Sequence, residues 1–210
     1  SAKDGENRWQ ERSYLVAETI RMFHPDLLGT QEVLAFQAKF LKEHFSSYGF
    51  HGVGRNDGKT KGEYTPVMYK KDRFRVVDSG HFWLSKRPEI PGSKSWDSSL
   101  TRMASWIHFE DLKNDSAPLV FVNTHFDHRG QEARLNSARL IRARVQEFMK
   151  KGIPVIITGD FNTTEDGKPF AALASKNADG NTEIFDSFRL AHPQREENES
   201  TFNHWTGTRK

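Results

Sequence analysis

The sequence predicts an α/β layered domain, and three observations carry that expectation. Short β-prone runs are interleaved with amphipathic helical segments along the chain. The run Pro-Val-Ile-Ile-Thr at 154–158 passes through Gly159 straight into Asp160, Phe161 and Asn162, as a buried strand does at its carboxyl-end rim. The 210 residues contain no internal repeat and no interdomain linker, which predicts one domain long enough for a sizeable core.

Each element has a local reason. Val16, Ile20 and Phe23 share one helical face, with Trp9 near its start, and Pro25 stops that helix. Leu27 and Leu28 form a short apolar run ending at Gln31-Glu32. Leu34, Ala38, Leu41 and Phe45 repeat at helical spacing up to a turn around Gly49. Three strands are predicted at 65–69, 74–78 and 81–84, followed by a Pro/Gly/Ser-rich loop at 86–99. Two further strands at 103–109 and 119–125 are joined by a polar turn at 113–117. Ala138, Ile141, Val145 and Phe148 mark an amphipathic helix that ends near Gly152, and the strand before Gly159 follows. A short helix is expected at 170–174, the segment 184–190 reads as either helix or strand, and 194–200 reads as a solvated polar run.

Composition removes several classes. A hydrophobic share of 35% and a charged share of 28% describe a soluble globular chain. No apolar run approaches the roughly 20 residues that a membrane helix needs. A net charge of +3 and a pI near 9.1 permit anionic partners without demanding nucleic acid. The absence of cysteine excludes disulfides and thiolate chemistry and leaves the compartment open, cytoplasmic or exported. The polar opening at 1–7 reads as a loop inside a domain, so an export signal is expected to be missing from this chain if there is one. The chain is read as a monomer.

Four predicted strand ends share a chemical character. Glu32 ends the first apolar run, His125 ends Asn-Thr-His, Asp160 and Asn162 end the last strand, and Glu63 precedes the strand at 65–69. Period-two alternation turns Asp160 and Asn162 to one side and Phe161 back to the core. Two acids, an amide and a histidine together suit a hydrolytic Mg²⁺ or Mn²⁺ site acting on phosphate. Read singly, each has an ordinary alternative: a turn or helix-start acid for Glu32 and Glu63, a satisfied core histidine for His125, a cap or turn for Asp160 and Asn162.

In this order, Gln31-Glu32, Asn123-Thr124-His125 and Gly159-Asp160-Phe161-Asn162 resemble the endonuclease/exonuclease/phosphatase superfamily, the deoxyribonuclease I-like fold. The resemblance covers nearly the whole chain, and the segments 4–9, 82–106 and 123–134 look most like a bacterial branch. It implies a four-layer sandwich, two packed and mainly antiparallel β-sheets flanked by helices. It also implies that Glu32 is the principal metal-binding carboxylate and that Asp160 shares the metal while orienting or activating water. Asn162 would bond the phosphate or the nucleophile, and His125 the scissile phosphate, its ring held protonated by pairing with Glu63. Arg102 is a candidate phosphate clamp and equally a surface arginine, Asp127 lines the site rim, and Arg129 and Arg134 form structural ion pairs.

Family members usually begin with a strand bearing a Thr-Tyr-Asn-like motif and end with Arg-Ile-Asp-like and Ser-Asp-His motifs. This chain starts after the first and stops before the last, so a single domain lacking its first and last strands is expected. The intact protein is expected to be an enzyme, a divalent-metal-dependent phosphoesterase, with diester cleavage favoured over monoester removal and the fragment itself impaired. The substrate class stays open among a small metabolite, a lipid head group and a nucleic acid. Lys59, Lys61, Lys70, Lys71, Arg73 and Arg75 form a basic stretch that strand alternation scatters over two faces. Trp83, Trp96, Trp106 and Trp205 are either stacking platforms or core. The rivals are a nuclease specific for DNA or RNA, a non-catalytic binding module of the same fold, and a carbohydrate-active hydrolase using Glu32 and Asp160 as its carboxylate pair.

Overall fold

Seven strands form two sheets in the computed structural model, which describes residues 5–176, 179–196, 199 and 201. Both sheets lie in one compact unit, residues 24–173. The first sheet joins β1 (Leu27–Gly29), β3 (Val67–Lys70) and β2 (Tyr48–His51) in the order β1-β3-β2, all antiparallel. The second joins β4 (Phe74–Trp83), β5 (Met103–Asp111), β6 (Ala117–His125) and β7 (Val155–Asp160) in chain order. The first two pairings of this sheet are antiparallel and the third is parallel. The parallel step requires a crossover, which α3 (Gln131–Met149) supplies.

Alternation along the strands assigns the layers. Val67 and Tyr69 meet Ile107, Phe109 and Phe121 in the core between the sheets, with Leu27, Phe74 and Leu119 around them. Trp106 and His108 point the other way, onto Phe148 of α3. Residues 120–125 of β6 are buried on both faces, which explains why that stretch lacks alternation. On the first sheet, α2 (Ala35–His44) lies by β2, with Lys42 over the Phe50 ring at 4.6 Å. The start of α2 is tied by the Leu34 amide donating to the Gln37 side chain. The start of α3 is capped from a distance, the Asp97 carboxylate accepting the Ala133 and Glu132 amides at 2.7 and 3.2 Å. This anchors the serine-rich loop expected at 86–99. A short helix, α4 (Lys168–Leu173), completes the unit.

Three expectations change in detail. The strands predicted at 74–78 and 81–84 are one ten-residue strand, β4, because a bulge between Val76 and Asp78 shifts the register without ending the pairing. The turn expected around Gly49 is strand β2. A side chain at Gly49 would lie 2.1 Å from the Tyr69 ring, so glycine there marks a close strand approach. The strand ending at Asp160 is half-buried and lies at the sheet edge, so its apolar run reflects one covered face, with Ile156 turned outward.

The second unit comprises residues 1–23 and 174–210. Its α1 (Trp9–Phe23) buries Ala17 and Ile20, whereas Phe23, expected on the same face, is exposed. Within the ambiguous 184–190 begins α5 (Ser187–Ala191), capped by Asp186. The run expected to be solvated at 194–200 contains Glu199, which pairs with Arg189 at 2.6 Å. Trp205 and the closing residues 202–210 lie outside the described residues. Among the described residues no helix is long and apolar enough to cross a membrane.

One inter-sheet contact has a measurable consequence. His51 of β2 stacks on His81 of β4, ring centroids 4.3 Å apart and nearly parallel. Burial lowers both pKa values; that of His81, further depressed by His51, falls to about 3. The folded protein therefore refuses protons that the unfolded chain accepts below pH 6.5, so stability declines as the pH falls through that value toward 3. About 2 kcal/mol should be lost to His81 between pH 7 and pH 5. Urea unfolding at the two pH values checks this, since His81→Phe should reduce the loss by about 2 kcal/mol and leave the share due to His125 and His51.

Candidate active site

The site grows from the carboxyl ends of β1, β6 and β7. Glu32 sits in the turn after β1 with a left-handed φ of 58°. That turn is held on both sides. Upstream, the fully buried Asn123 donates to the carbonyls of Thr30 and Pro66 at 2.7 and 2.9 Å and accepts from Gln31 and Thr158. Downstream, Val33 and Tyr64 form an isolated antiparallel bridge. The bridge also places Glu63 near Glu32. Gly29 makes this possible, since a side chain there would lie 2.5 Å from Thr158 and 2.6 Å from Asn123.

His125 and Asp160 are register partners at the ends of the parallel pair β6–β7, with Nε2 3.7 Å from Oδ2. Asn162, with φ of 46°, closes the turn: its backbone amide donates to Asp160 at 2.9 Å and its side chain to the Phe126 carbonyl at 3.0 Å. Phe161 turns inward and packs edge-on against Phe126. Arg102, 4% exposed, lies behind this group. Its Nη2 contacts His128 at 3.2 Å, its Nε lies 3.8 Å from Asp127, and its Nε and Nη1 have no hydrogen-bond partner.

Charge in the site is unbalanced. Burial raises the pKa of Glu32, and the negative charges of Glu63 and Asp160 raise it further, against Arg102 and Arg55. Burial and the Arg102 charge push His125 down to about 4, against Asp160, and its buried Nδ1 is unpartnered. The ring is therefore neutral near pH 7 in the ligand-free protein, unlike the protonated histidine expected from sequence. Burial likewise lowers the pKa of Arg102, and the nearby Arg55 charge adds to the effect.

Two further expectations are corrected. Glu63 pairs with Arg55 at 2.5 Å, and the carboxylate facing His125 is Asp160, because the Val33–Tyr64 bridge carries Glu63 toward Glu32. Asp127 is not on the rim: it is 1% exposed and accepts the amides of Ser99, Leu100, Arg129 and Gly130 and the hydroxyls of Ser98 and Ser99. Burial alone would raise its pKa, but these donors hold it well below the usual carboxylate range. Asp127 thus ties the 98–100 loop to the start of α3. Arg134, expected in an ion pair, donates to the Asp127 carbonyl.

Sequence reasoning passed over Arg55 and His128. The available signal was an arginine inside the glycine-rich run Gly52-Val53-Gly54-Arg55-Asn56-Asp57-Gly58, just ahead of Glu63. Half of the basic stretch is locally neutralised: Lys70 and Arg73 on Asp26, Arg73 also on Asp111, and Arg75 on Glu110. Trp83 is buried in the core, and Trp106 packs on α3.

The donor chemistry suits a hard divalent cation. Among the described residues no three His, Asp or Glu side chains stand close enough to form a full cage. Magnesium ordinarily needs only one or two carboxylates, completed by water and phosphate oxygens. Glu32, crowded by Glu63 and Asp160, has the excess negative charge that such an ion relieves.

Comparison with known proteins agrees with this fold. The profile of the Endonuclease/Exonuclease/phosphatase family matches residues 4–210. The fold is shared with an endonuclease/exonuclease/phosphatase from Bacteroides vulgatus, TM-score 0.80, at 40% identity over 84% of this chain and 67% of that one. A mannosyl-6-phosphatase of Bacteroides thetaiotaomicron matches with TM-score 0.75 at 40% identity, covering 80% of this chain and 62% of that one. A probable RNA exonuclease of Saccharomyces cerevisiae is 25% identical over 181 residues, 80% of this chain. This chain spans only 35% of that yeast protein's length.

Proposed function

The chain belongs to the Endonuclease/Exonuclease/phosphatase family, and from that premise we propose that it hydrolyses a phosphoester by in-line attack of water, assisted by a divalent cation. The observation that supports this best is the meeting of Glu32 from one sheet with His125, Asp160 and Asn162 from the other, around a carboxylate whose charge is poorly tolerated where it stands. Glu32 and Asp160 would hold the ion, Mg²⁺ or Mn²⁺. When bound, it supplies positive charge against the phosphoryl oxygens and lowers the pKa of water.

The water oxygen bonds to phosphorus as the opposite P–O ester bond breaks, and the alcohol leaves with a proton taken from solvent; the remaining roles fall to side chains. Asp160, half-exposed at the rim, orients the attacking water and accepts its proton. The Asn162 amide, fixed by its bond to Phe126, directs its remaining N–H toward a non-bridging oxygen without adding negative charge. His125 enters neutral and donates a hydrogen bond to the phosphoryl group. Growing negative charge raises its affinity for a second proton, so its contribution strengthens toward the transition state. Arg102 offers the buried N–H groups that the protein itself leaves unpaired.

The substrate is a small phosphorylated metabolite. Three of the six cations in the basic stretch, Lys70, Arg73 and Arg75, are tied to neighbouring acids, which weakens it as a track for a nucleic-acid strand, and a 40% identical relative is a mannosyl-6-phosphatase. Assay of the full-length protein with Mg²⁺ or Mn²⁺ on sugar phosphates, p-nitrophenyl phosphate, bis-p-nitrophenyl phosphate, RNA and DNA tests both statements. Activity on phosphate esters should vanish in excess chelator and return with the metal. Undiminished turnover in chelator defeats the metal mechanism, and preference for nucleic acid defeats the substrate reading.

A further inference from the structure

We infer that Arg55 is a specificity-determining residue, forming with Arg102 a two-guanidinium cradle that selects the terminal phosphate of a monoester over a diester. The inference rests on the phosphoester-hydrolase reading and deepens it.

The first observation is that the Arg55 side chain is not needed to hold its own loop. The Arg55 carbonyl accepts the buried Trp83 indole N–H at 2.6 Å, and its amide donates to the Glu63 carbonyl at 3.0 Å. Asp57 closes the loop by accepting the amides of Lys59 and Lys61 at 2.8 and 3.0 Å. Yet the side chain is only 11% exposed and is aimed by an ion pair with Glu63. A backbone so fully anchored leaves the guanidinium free to serve a ligand.

The second observation is where that guanidinium sits. The Arg55 and Arg102 backbones both bind the end of β4, the Arg55 carbonyl accepting the Trp83 indole N–H and the Arg102 carbonyl accepting the Leu84 amide at 2.8 Å, and the Arg55 charge acts on both Arg102 and His125. Arg102 is 4% exposed and leaves Nε and Nη1 without partners. The pKa of Arg102 is lowered despite Asp127, Glu63 and Glu32, and its buried N–H groups without hydrogen-bond partners are costly, so an anion engaging both arginines is the ligand that fits. A guanidinium fork matches phosphate oxygens bidentately, and Glu63 meets the Arg55 fork at Nη1.

Substrate chemistry then decides between esters. A diester carries one negative charge on two non-bridging oxygens. A monoester carries three such oxygens and close to two charges near pH 7, since its second pKa is about 6. A single arginine suffices for the first, and the third oxygen of the second gives Arg55 its ligand. Sequence alone had favoured diester cleavage; this cradle favours the monoester.

The test compares the full-length wild type with Arg55→Ala and Arg55→Lys. It uses p-nitrophenyl phosphate and bis-p-nitrophenyl phosphate with Mg²⁺, and measures inorganic phosphate binding by calorimetry in parallel. Arg55→Ala should lower monoester kcat/KM and phosphate affinity by about 10- to 100-fold, the range for a lost hydrogen bond to a charged group, with the diester little changed. Arg55→Lys should show a smaller loss with the same selectivity, and it decides the matter if the alanine variant does not fold. Equal losses on both esters, or an unchanged phosphate affinity, overturn the cradle. A wild type inactive on both esters, with phosphate affinity still dependent on Arg55, removes the hydrolase reading and leaves the cradle standing.

Discussion

Glu32→Gln should lower kcat/KM on phosphate esters by about a thousandfold, on the order of 4 kcal/mol of transition-state stabilisation. Its effect on stability should run the other way. Burial and the charges of Glu63 and Asp160 raise the Glu32 pKa in the folded state. An acid raised in this way holds its proton more tightly folded than unfolded, so the stability it confers is lost as pH rises through the carboxylate range. Glutamine removes that penalty. In chelator at pH 7 the variant should melt no lower than wild type, and the upward shift in melting temperature produced by Mg²⁺ should disappear. Thermal melts with and without Mg²⁺, beside steady-state kinetics, read all three effects. A variant that keeps its activity, or still gains stability from Mg²⁺, removes Glu32 from the metal site.

The largest stability loss is expected at Asn123. Its side chain makes four hydrogen bonds, three across to the first sheet's Gln31, Thr30 and Pro66 segments and one to Thr158 of its own sheet. Asn123→Ala deletes them in a fully buried place and leaves two carbonyls without these donors. At about 1–3 kcal/mol for each buried group left unsatisfied, the cost is about 3 kcal/mol. That corresponds to roughly a 10 °C fall in melting temperature for a chain of this size. Activity should fall further than stability explains, because Asn123 holds the Thr30 and Gln31 segment that presents Glu32. Kinetics well below the melting transition separate the two effects. Full activity in a destabilised variant would show that Asn123 only joins the sheets.

The same side chain shows how legibility differs across this protein. In sequence, Asn123 is one letter beside the more conspicuous His125, and nothing local signals that it spans two sheets. Asp160 and Asn162 are different, since an apolar strand running into glycine and an alternating polar pair is a local pattern. The helix at 131–149 was legible for a similar reason, its apolar residues repeating at the helical period. The bulge inside β4 was not, because pairing with β5 keeps the strand continuous across a stretch whose own alternation breaks at Val77.

The sequence by itself determined the layered α/β plan and the candidate chemistry: Glu32, His125, Asp160 and Asn162 at strand ends. These follow from alternation, turn residues and side-chain type, which act over a few neighbours. Tertiary structure decided the rest. It paired Glu63 with Arg55, placed Asp160 against His125 and left that ring neutral, withdrew Asp127 into a cluster of backbone amides, and brought the Arg55 and Arg102 backbones to the same end of β4. Desolvation and Coulomb forces depend on distance through space, so residues far apart in the chain settle which charges stand together and which protons remain.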